Sequence, residues 1–298
     1  MDSSLLNLNL EEKRREVRKK LRKLEGLPTL PPIIKHLNEL IEDESSSINQ
    51  IAELLEKDQV LTSKVLRLAN SAFYGFPKKI STVQNAIMLL GINVLKILII
   101  TSSIFEVLHK EDIGLWEHSI GVAACIRIIS EKIEYKDPPE IATAGLLHDL
   151  GKLVEKVCFP KEYQIISTLT KKGIEPLKAE KSVLGMDHAE IGAYMMRQWN
   201  IPDRLTEAVI SHHNIEKTKK FKKEASIIHL ADVLVRARGY GETNVSVVPN
   251  LNIKALKLLR LSFEDLKDIL LALEPKLYEL KFFTEELQRE LSFSNEQR

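Results

Sequence analysis

Apolar positions in this chain recur at helical spacing, and polar start and stop residues divide them into a succession of predicted helices. Asn9 to Glu25 carries Val17, Leu21 and Leu24 at steps of four and three, a single apolar stripe on an otherwise charged helix. Gly26 to Pro32 ends it, and Pro31 and Pro32 suit the start of the next. From Ile33 to about Leu108 five helices follow: Ile33 to Glu42, Ser47 to Lys57, Asp58 to Ala69, Val83 to Leu90 and Asn93 to Val107. Ser47 with Gln50 three residues on reads as a capping box, Thr82 as an N-cap, and Asn70 to Pro77 as a turn-rich break. A second helical stretch begins at Gly114 to Ile133 and continues with a helix opened by Pro138 and Pro139 that leads to His148. Further helices are expected over Pro160 to Lys172, Asp187 to Trp199, Arg204 to His213 and Ala225 to Arg238. Asp187 with Glu190 forms another capping box, Gly173 and Gly239 act as stops, and Asn214 reads as a left-handed stop. Gly241 to Leu251 is expected to be a loop, and Asn252 onward a helical tail broken or kinked at Pro275.

The bulk numbers agree with an all-α fold. Gly (12) and Pro (11) are sparse in 298 residues, a length that allows about two domains. The expected division is a basic N-terminal helix over 1–25, an N-terminal helical lobe over 26–110, a second helical lobe over 111–240, and a loop with a helical tail over 241–298. A net charge of +1 gives no global footprint for nucleic acid. The local exception is the eight basic residues Lys13, Arg14, Arg15, Arg18, Lys19, Lys20, Arg22 and Lys23. No aromatic residues interleave with them, which favours a solvated helix docking by its stripe over a nucleic-acid arm. Cys125 and Cys158 have no CxxC spacing, which fits a reducing cytoplasm. The longest apolar run, Val94 to Val107, is too short and too polar to span a bilayer, and no signal peptide is expected over Met1 to Lys23.

The chemistry centres on Ala144-Gly-Leu-Leu-His-Asp-Leu-Gly-Lys152, where His148 and Asp149 adjoin an apolar run. Burying two such polar side chains is costly unless something compensates them, and a divalent metal would. Lys152, three positions on, projects from the same side as Asp149 and would put a cation beside a phosphate held there. Backbone hydrogen bonding at a helix end is the plainer alternative. Combination shifts the balance. His118, His148 with Asp149, His188, His212 with His213, and Asp232 come from five predicted helices, and only His36 and His109 of the eight histidines precede them. Taken singly, His118 or His188 reads as a satisfied core residue, the 212–213 pair as a complement to a helix dipole, and Asp232 as a partner of His229. Together they are what a metal site in a bundle core would recruit.

The order His…His-Asp…His…His-His…Asp, with His-Asp-Leu-Gly-Lys at its centre, resembles the HD superfamily of metal-dependent phosphohydrolases. The blocks Leu27-Pro-Thr-Leu-Pro-Pro32, Asn70-Ser-Ala-Phe-Tyr-Gly75, Ser81 to Gly91, Trp116-Glu-His-Ser119 and Ala144 to Lys152 resemble the HDOD family (HD-related output domain) over roughly residues 20–240. The resemblance implies two helical lobes, the second an HD-type bundle, and a role in bacterial signal transduction. His118, His148, Asp149 and Asp232 match the superfamily's metal quartet, which most HDOD members lack. His188, His212 and His213 match the further ligands of the branch with two metals. Two departures stand out: no Gly-Tyr-Pro motif follows Asn214, and Gly114 stands where members with three metals place a Glu.

The resemblance implies one or two divalent transition ions, Fe or Mn by likeness, with Asp149 bridging and Lys152 steadying charge on a phosphoester or nucleotide. Two functions compete. One is a metal-dependent phosphohydrolase; the other is a non-enzymatic signalling module that binds metal or ligand and a protein partner. A nucleic-acid partner and a membrane are disfavoured, and the sequence does not fix the oligomeric state.

Overall fold

The computed structural model describes residues 8–22, 32–43, 47–71, 74, 76, 78–107, 113–241 and 248–296, and among these it is helical throughout, with no strand. The N-terminal helix α1 (Leu10–Arg22) is followed by α2 (Pro32–Glu42), α3 (Ile48–Glu56), α4 (Gln59–Ala69), α5 (Val83–Leu90) and α6 (Ile92–Val107). Then come α7 (Ile113–Lys132), α8 (Pro138–Leu147), α9 (Leu150–Cys158), α10 (Pro160–Lys171), α11 (Pro176–Leu184) and α12 (His188–Gln198). The chain continues through α13 (Asp203–Ser211), α14 (Lys222–Ala237), α15 (Ile253–Leu259) and α16 (Phe263–Glu296).

Local chemistry sets most of the boundaries. Both capping boxes form, Ser47 with Gln50 and Asp187 with Glu190, and each satisfies backbone donors that a helix start leaves open. Gly173 and Gly239 adopt positive φ at helix ends, as their positions predict. Asn214 does not: its Oδ1 instead accepts from the Glu216 N–H at 3.2 Å, a side-chain turn that needs no left-handed backbone. Pro275 lies inside α16, which runs on through it. Two helices escaped the periodicity reading. One is α9, separated from α8 only by His148 and Asp149; the other is α11, with Pro176 in its first turn and Gly185 at φ +75° beyond its end.

Helices α2 to α6 pack among themselves, as do α7 to α16, and α6 against α8 joins the two groups. One apolar core, from Val17 to Leu280, runs through both. Helix α7 is long and apolar enough by composition to cross a membrane, but it is a core helix, with 67% of its apolar window buried. The basic helix α1 docks on the second group rather than the first. Val17 and Leu21 are buried, Arg14 pairs with Glu190 at 2.7 Å, and Lys13 Nζ donates to the Ser182 carbonyl at 2.5 Å. Leu24 of the expected stripe lies outside the described residues, as does His109.

The crossing of α9 and α12 is the closest approach near the His-Asp pair. A Cβ on Gly151 would sit on the His188 backbone, and Gly192 faces Gly151 N across the same crossing. The glycine of His-Asp-Leu-Gly-Lys is therefore there for space. It lets His188 reach Asp149.

Candidate metal centre

Five helices deliver donors to one buried point. His118 comes from the interior of α7; His148 and Asp149 are the two residues between α8 and α9; His188 opens α12; His212 and His213 follow α13; and Asp232 lies within α14. The rings of His148 and His212 are 5.3 Å apart, those of His188 and His213 4.9 Å, and those of His118 and His148 5.2 Å. His118, His148 and His212 are 0% exposed, and Asp149 and Asp232 are 1% exposed. The structure thus brings together all seven residues singled out as metal donors. Lys152 is there too, its Nζ donating to Asp149 Oδ2 at 2.6 Å.

The surroundings prepare the imidazoles to donate lone pairs. His148 Nδ1 lies 2.7 Å from the Gly145 carbonyl and His212 Nδ1 lies 2.6 Å from that of Val209. A carbonyl only accepts, so each Nδ1 carries the proton and leaves Nε2 as a bare acceptor. Among the described residues neither Nε2 has a hydrogen-bond partner, and neither does Asp149 Oδ1. His188 Nδ1 donates to the Glu180 carboxylate at 2.8 Å, the carboxylate–histidine pairing that orients metal ligands. Its Nε2 stands 2.9 Å from His213 Nε2 and 3.2 Å from Asp149 Oδ1. Donors bound about 2.1 Å from a tetrahedral ion stand roughly 3.4 Å apart, so this spacing needs only a small adjustment to accept one. Asp149, His188, His212 and His213 all offer atoms within 4.8 Å of one another, as do His118, His148 and Asp149, and also His148, His212 and Asp232. Buried, unpartnered nitrogen and carboxylate lone pairs converging in this way fit a divalent transition metal.

The electrostatics favour neutral rings at His118 and His212 but a charged one at His188, whose Nε2 proton an arriving ion would have to displace. Burial lowers the His118 ring to about 4 and the His212 ring to about 3, keeping both neutral; His212 Nε2 keeps its lone pair, while His118 Nε2 carries its proton toward Asp232 Oδ1 at 2.9 Å. Burial alone would lower His188 too, but the Glu180 carboxylate lifts it to about 10. Burial works to raise Asp149, yet His148 and Lys152 hold it well below the usual carboxylate range. Arg236 does the same for Asp232 against the same opposing burial.

Two participants, Glu180 and Arg236, were not singled out from sequence, and a third, His229, has a different partner from the one expected. Glu180 sits on the unread helix α11. Arg236, four residues after Asp232 and so on the same face of α14, donates through Nε to Asp232 Oδ1 at 2.7 Å and through Nη2 to Asp149 Oδ2 at 3.1 Å. His229 does not pair with Asp232; its Nδ1 donates to the His212 carbonyl at 2.9 Å and its Nε2 accepts from Asn252 N–H at 3.0 Å. It thereby fixes the backbone that carries two of the donors.

Fold and cluster together define an all-α protein with a buried His/Asp cluster that could hold a metal ion. More narrowly, residues 27–215 match the HDOD domain, well over half of the chain, and the protein belongs to that family. An HDOD domain protein of unknown function from Geobacter sulfurreducens superposes with a TM-score of 0.71 at 28% identity, over 94% of this chain and 99% of its own. A Shewanella amazonensis SB2B protein given as a candidate phosphohydrolase reaches 0.66 at 24% identity, over 87% and 96%, a likeness of fold. A Treponema pallidum (strain Nichols) protein of no stated function is 25% identical over 235 residues, 76% of this chain. The chain spans 45% of that relative's length.

Proposed function

We propose that this protein is a signal-transduction protein whose HD-type site binds a divalent transition metal, iron or manganese, and hydrolyses a phosphoester or nucleotide. The observation that carries the reading is the set of bare Nε2 lone pairs on His148 and His212 beside the unpartnered Asp149 Oδ1, all buried and aimed at one point. A bound ion would supply Lewis acidity and lower the pKa of a coordinated water toward ~7. The chain's own residues do the rest. His212 is held by the Val209 carbonyl, His188 by Glu180, and Asp149 by Lys152 and Arg236, while His213 sets its Nε2 against that of His188. Lys152, whose side chain is 21% exposed, keeps a cation at the edge of the site, where phosphoryl oxygens gain negative charge. The unpaired, buried Cys125 and Cys158 support a reducing, cytoplasmic setting.

A second reading has its own support. The described cavity that touches Asp149, bounded by Thr101, Trp116, Ser119 and Leu150, measures about 30 Å³, room for water but not for a nucleotide. That cavity holds none of the histidine donors, and donors as buried as His118, His148, His188 and His212 favour a signalling module in which the metal steadies the bundle and a protein partner reads its surface.

Elemental analysis of protein purified without chelator tests the common ground: metal should be bound, and Asp149→Ala should remove it. Metal-free wild-type protein would end the proposal. With metal present, turnover of bis(p-nitrophenyl) phosphate or a cyclic dinucleotide under iron or manganese supports the hydrolase, and Lys152→Ala should then lower kcat by about 10²-fold. No turnover in any of these assays leaves the signalling module.

A further inference from the structure

Resting on the metal-binding reading, we propose that the site takes a single divalent ion, held by Asp149, His188, His212 and His213, and that the Arg236 guanidinium fills the place of a second.

The two oxygens of Asp149 live in different surroundings. Oδ1 faces His188 and has no hydrogen-bond partner. Oδ2 accepts from Lys152 Nζ at 2.6 Å and from Arg236 Nη2 at 3.1 Å. Across from it, Asp232 Oδ1 accepts from Arg236 Nε at 2.7 Å and stands 2.9 Å from His118 Nε2. On the His118–Asp232 side the facing carboxylate oxygens are thus taken up by N–H donors. His118 spends its Nε2 on Asp232, and its unpartnered Nδ1 lies across the ring from that contact, so among the described residues His148 Nε2 is the one unpartnered nitrogen set against both carboxylates, 3.5 Å from Asp149 Oδ2 and 3.7 Å from Asp232 Oδ1. A lone imidazole does not make a metal site.

An ion on that side would have to displace a guanidinium that spans both carboxylates and does not give up its proton. The side chain of Arg236 is only 8% exposed, so it cannot simply swing into water. The displaced charge would remain buried beside a divalent cation, which is strongly unfavourable at low local dielectric. The other side is the reverse. Among the described residues no Lys or Arg hydrogen bond reaches Asp149 Oδ1, His212 Nε2 is bare, and His188 and His213 hold their Nε2 atoms 2.9 Å apart, a separation that calls for a shared proton or cation. Charge and geometry therefore divide the cluster into a half that accepts an ion and a half already neutralised by the chain itself. The placement of Arg236 follows from its four-residue step from Asp232 on α14.

The test is the number of ions bound, measured by elemental analysis and by calorimetric titration with Mn²⁺ on the full chain, with circular dichroism reporting the fold. One ion per wild-type chain is expected, retained in His118→Ala and lost in His212→Ala. In Arg236→Gln a second ion should bind, and that second ion should disappear in the Arg236→Gln, His118→Ala double variant. Two ions in the wild type, or one in a folded Arg236→Gln protein, would overturn the proposal. If Arg236→Gln does not fold, the comparison of His118→Ala with His212→Ala decides, and loss of the ion from the former alone refutes it. A wild type that takes up no ion removes the metal-binding reading itself, a failure distinct from binding two.

Discussion

Glu155 sits on α9 within the field of Glu180, Lys152, Asp187 and His188, fully buried, and its Oε1 has no hydrogen-bond partner. Burial first, and then the Glu180 charge, push its carboxyl well above the usual range. The unfolded chain titrates this group near ~4.3, so above that pH folding must take up a proton. The contribution is whole below the unfolded pKa and is lost as pH rises toward the folded one, at up to ~1.4 kcal/mol per pH unit. Glu155→Gln has no proton to take up. Its melting temperature should match the wild type near pH 4 and exceed it by a growing margin toward pH 8. A margin that stays flat, or that shrinks as pH rises, would show that Glu155 ionises freely in the fold.

At the scale of the elements, the site depends on how closely α9 and α12 cross. Gly151→Ala changes no donor, yet its methyl group would land on the His188 backbone and force the helices apart. His188 would leave Asp149 Oδ1, now 3.2 Å away. The variant should stay helical and lose metal affinity by about 10-fold or more, as disturbed ligand orientation does elsewhere; unchanged affinity in a competition assay with a chelating dye would mean the crossing is soft. This element also marks how far the sequence could be read. Capping boxes, prolines in first turns and glycine stops gave most helices, because those are local devices written in adjacent residues. The boundary between α8 and α9 is not, since no breaker separates Leu147 from Leu150 and the bend is set by packing. Helix α11 did carry a proline start and a glycine stop, so Glu180 was within reach. Arg236 was too, by its step of four from Asp232. The Gly151 approach to His188, 37 positions along the chain, is tertiary and has no local signature.

For the whole molecule, the relevant fact is that one apolar core runs from Val17 through α6 to Leu280. Helix α6 buries Val94, Leu95, Ile97, Leu98, Ile99 and Ile100, and it packs on α2, α4 and α5 and also on α8. Lys96 adds a polar tie, its buried Nζ donating to the Asn200 carbonyl just ahead of the helix that carries His212. Ligand binding to the native state alone stabilises by about 2.7 kcal/mol at a free concentration 100 times Kd. For a protein of this size that corresponds to a rise of about 4 °C in Tm. Because the core is continuous, the gain should not stay within α7 to α14. Adding Mn²⁺ to chelator-treated protein should move a single cooperative transition upward, with the helical signal and the fluorescence of Trp116 and Trp199 shifting together. Two transitions, only one of them responding to the ion, would mean that α2 to α6 unfold independently and that the α6–α8 junction does not pass the state of the site to the rest of the chain.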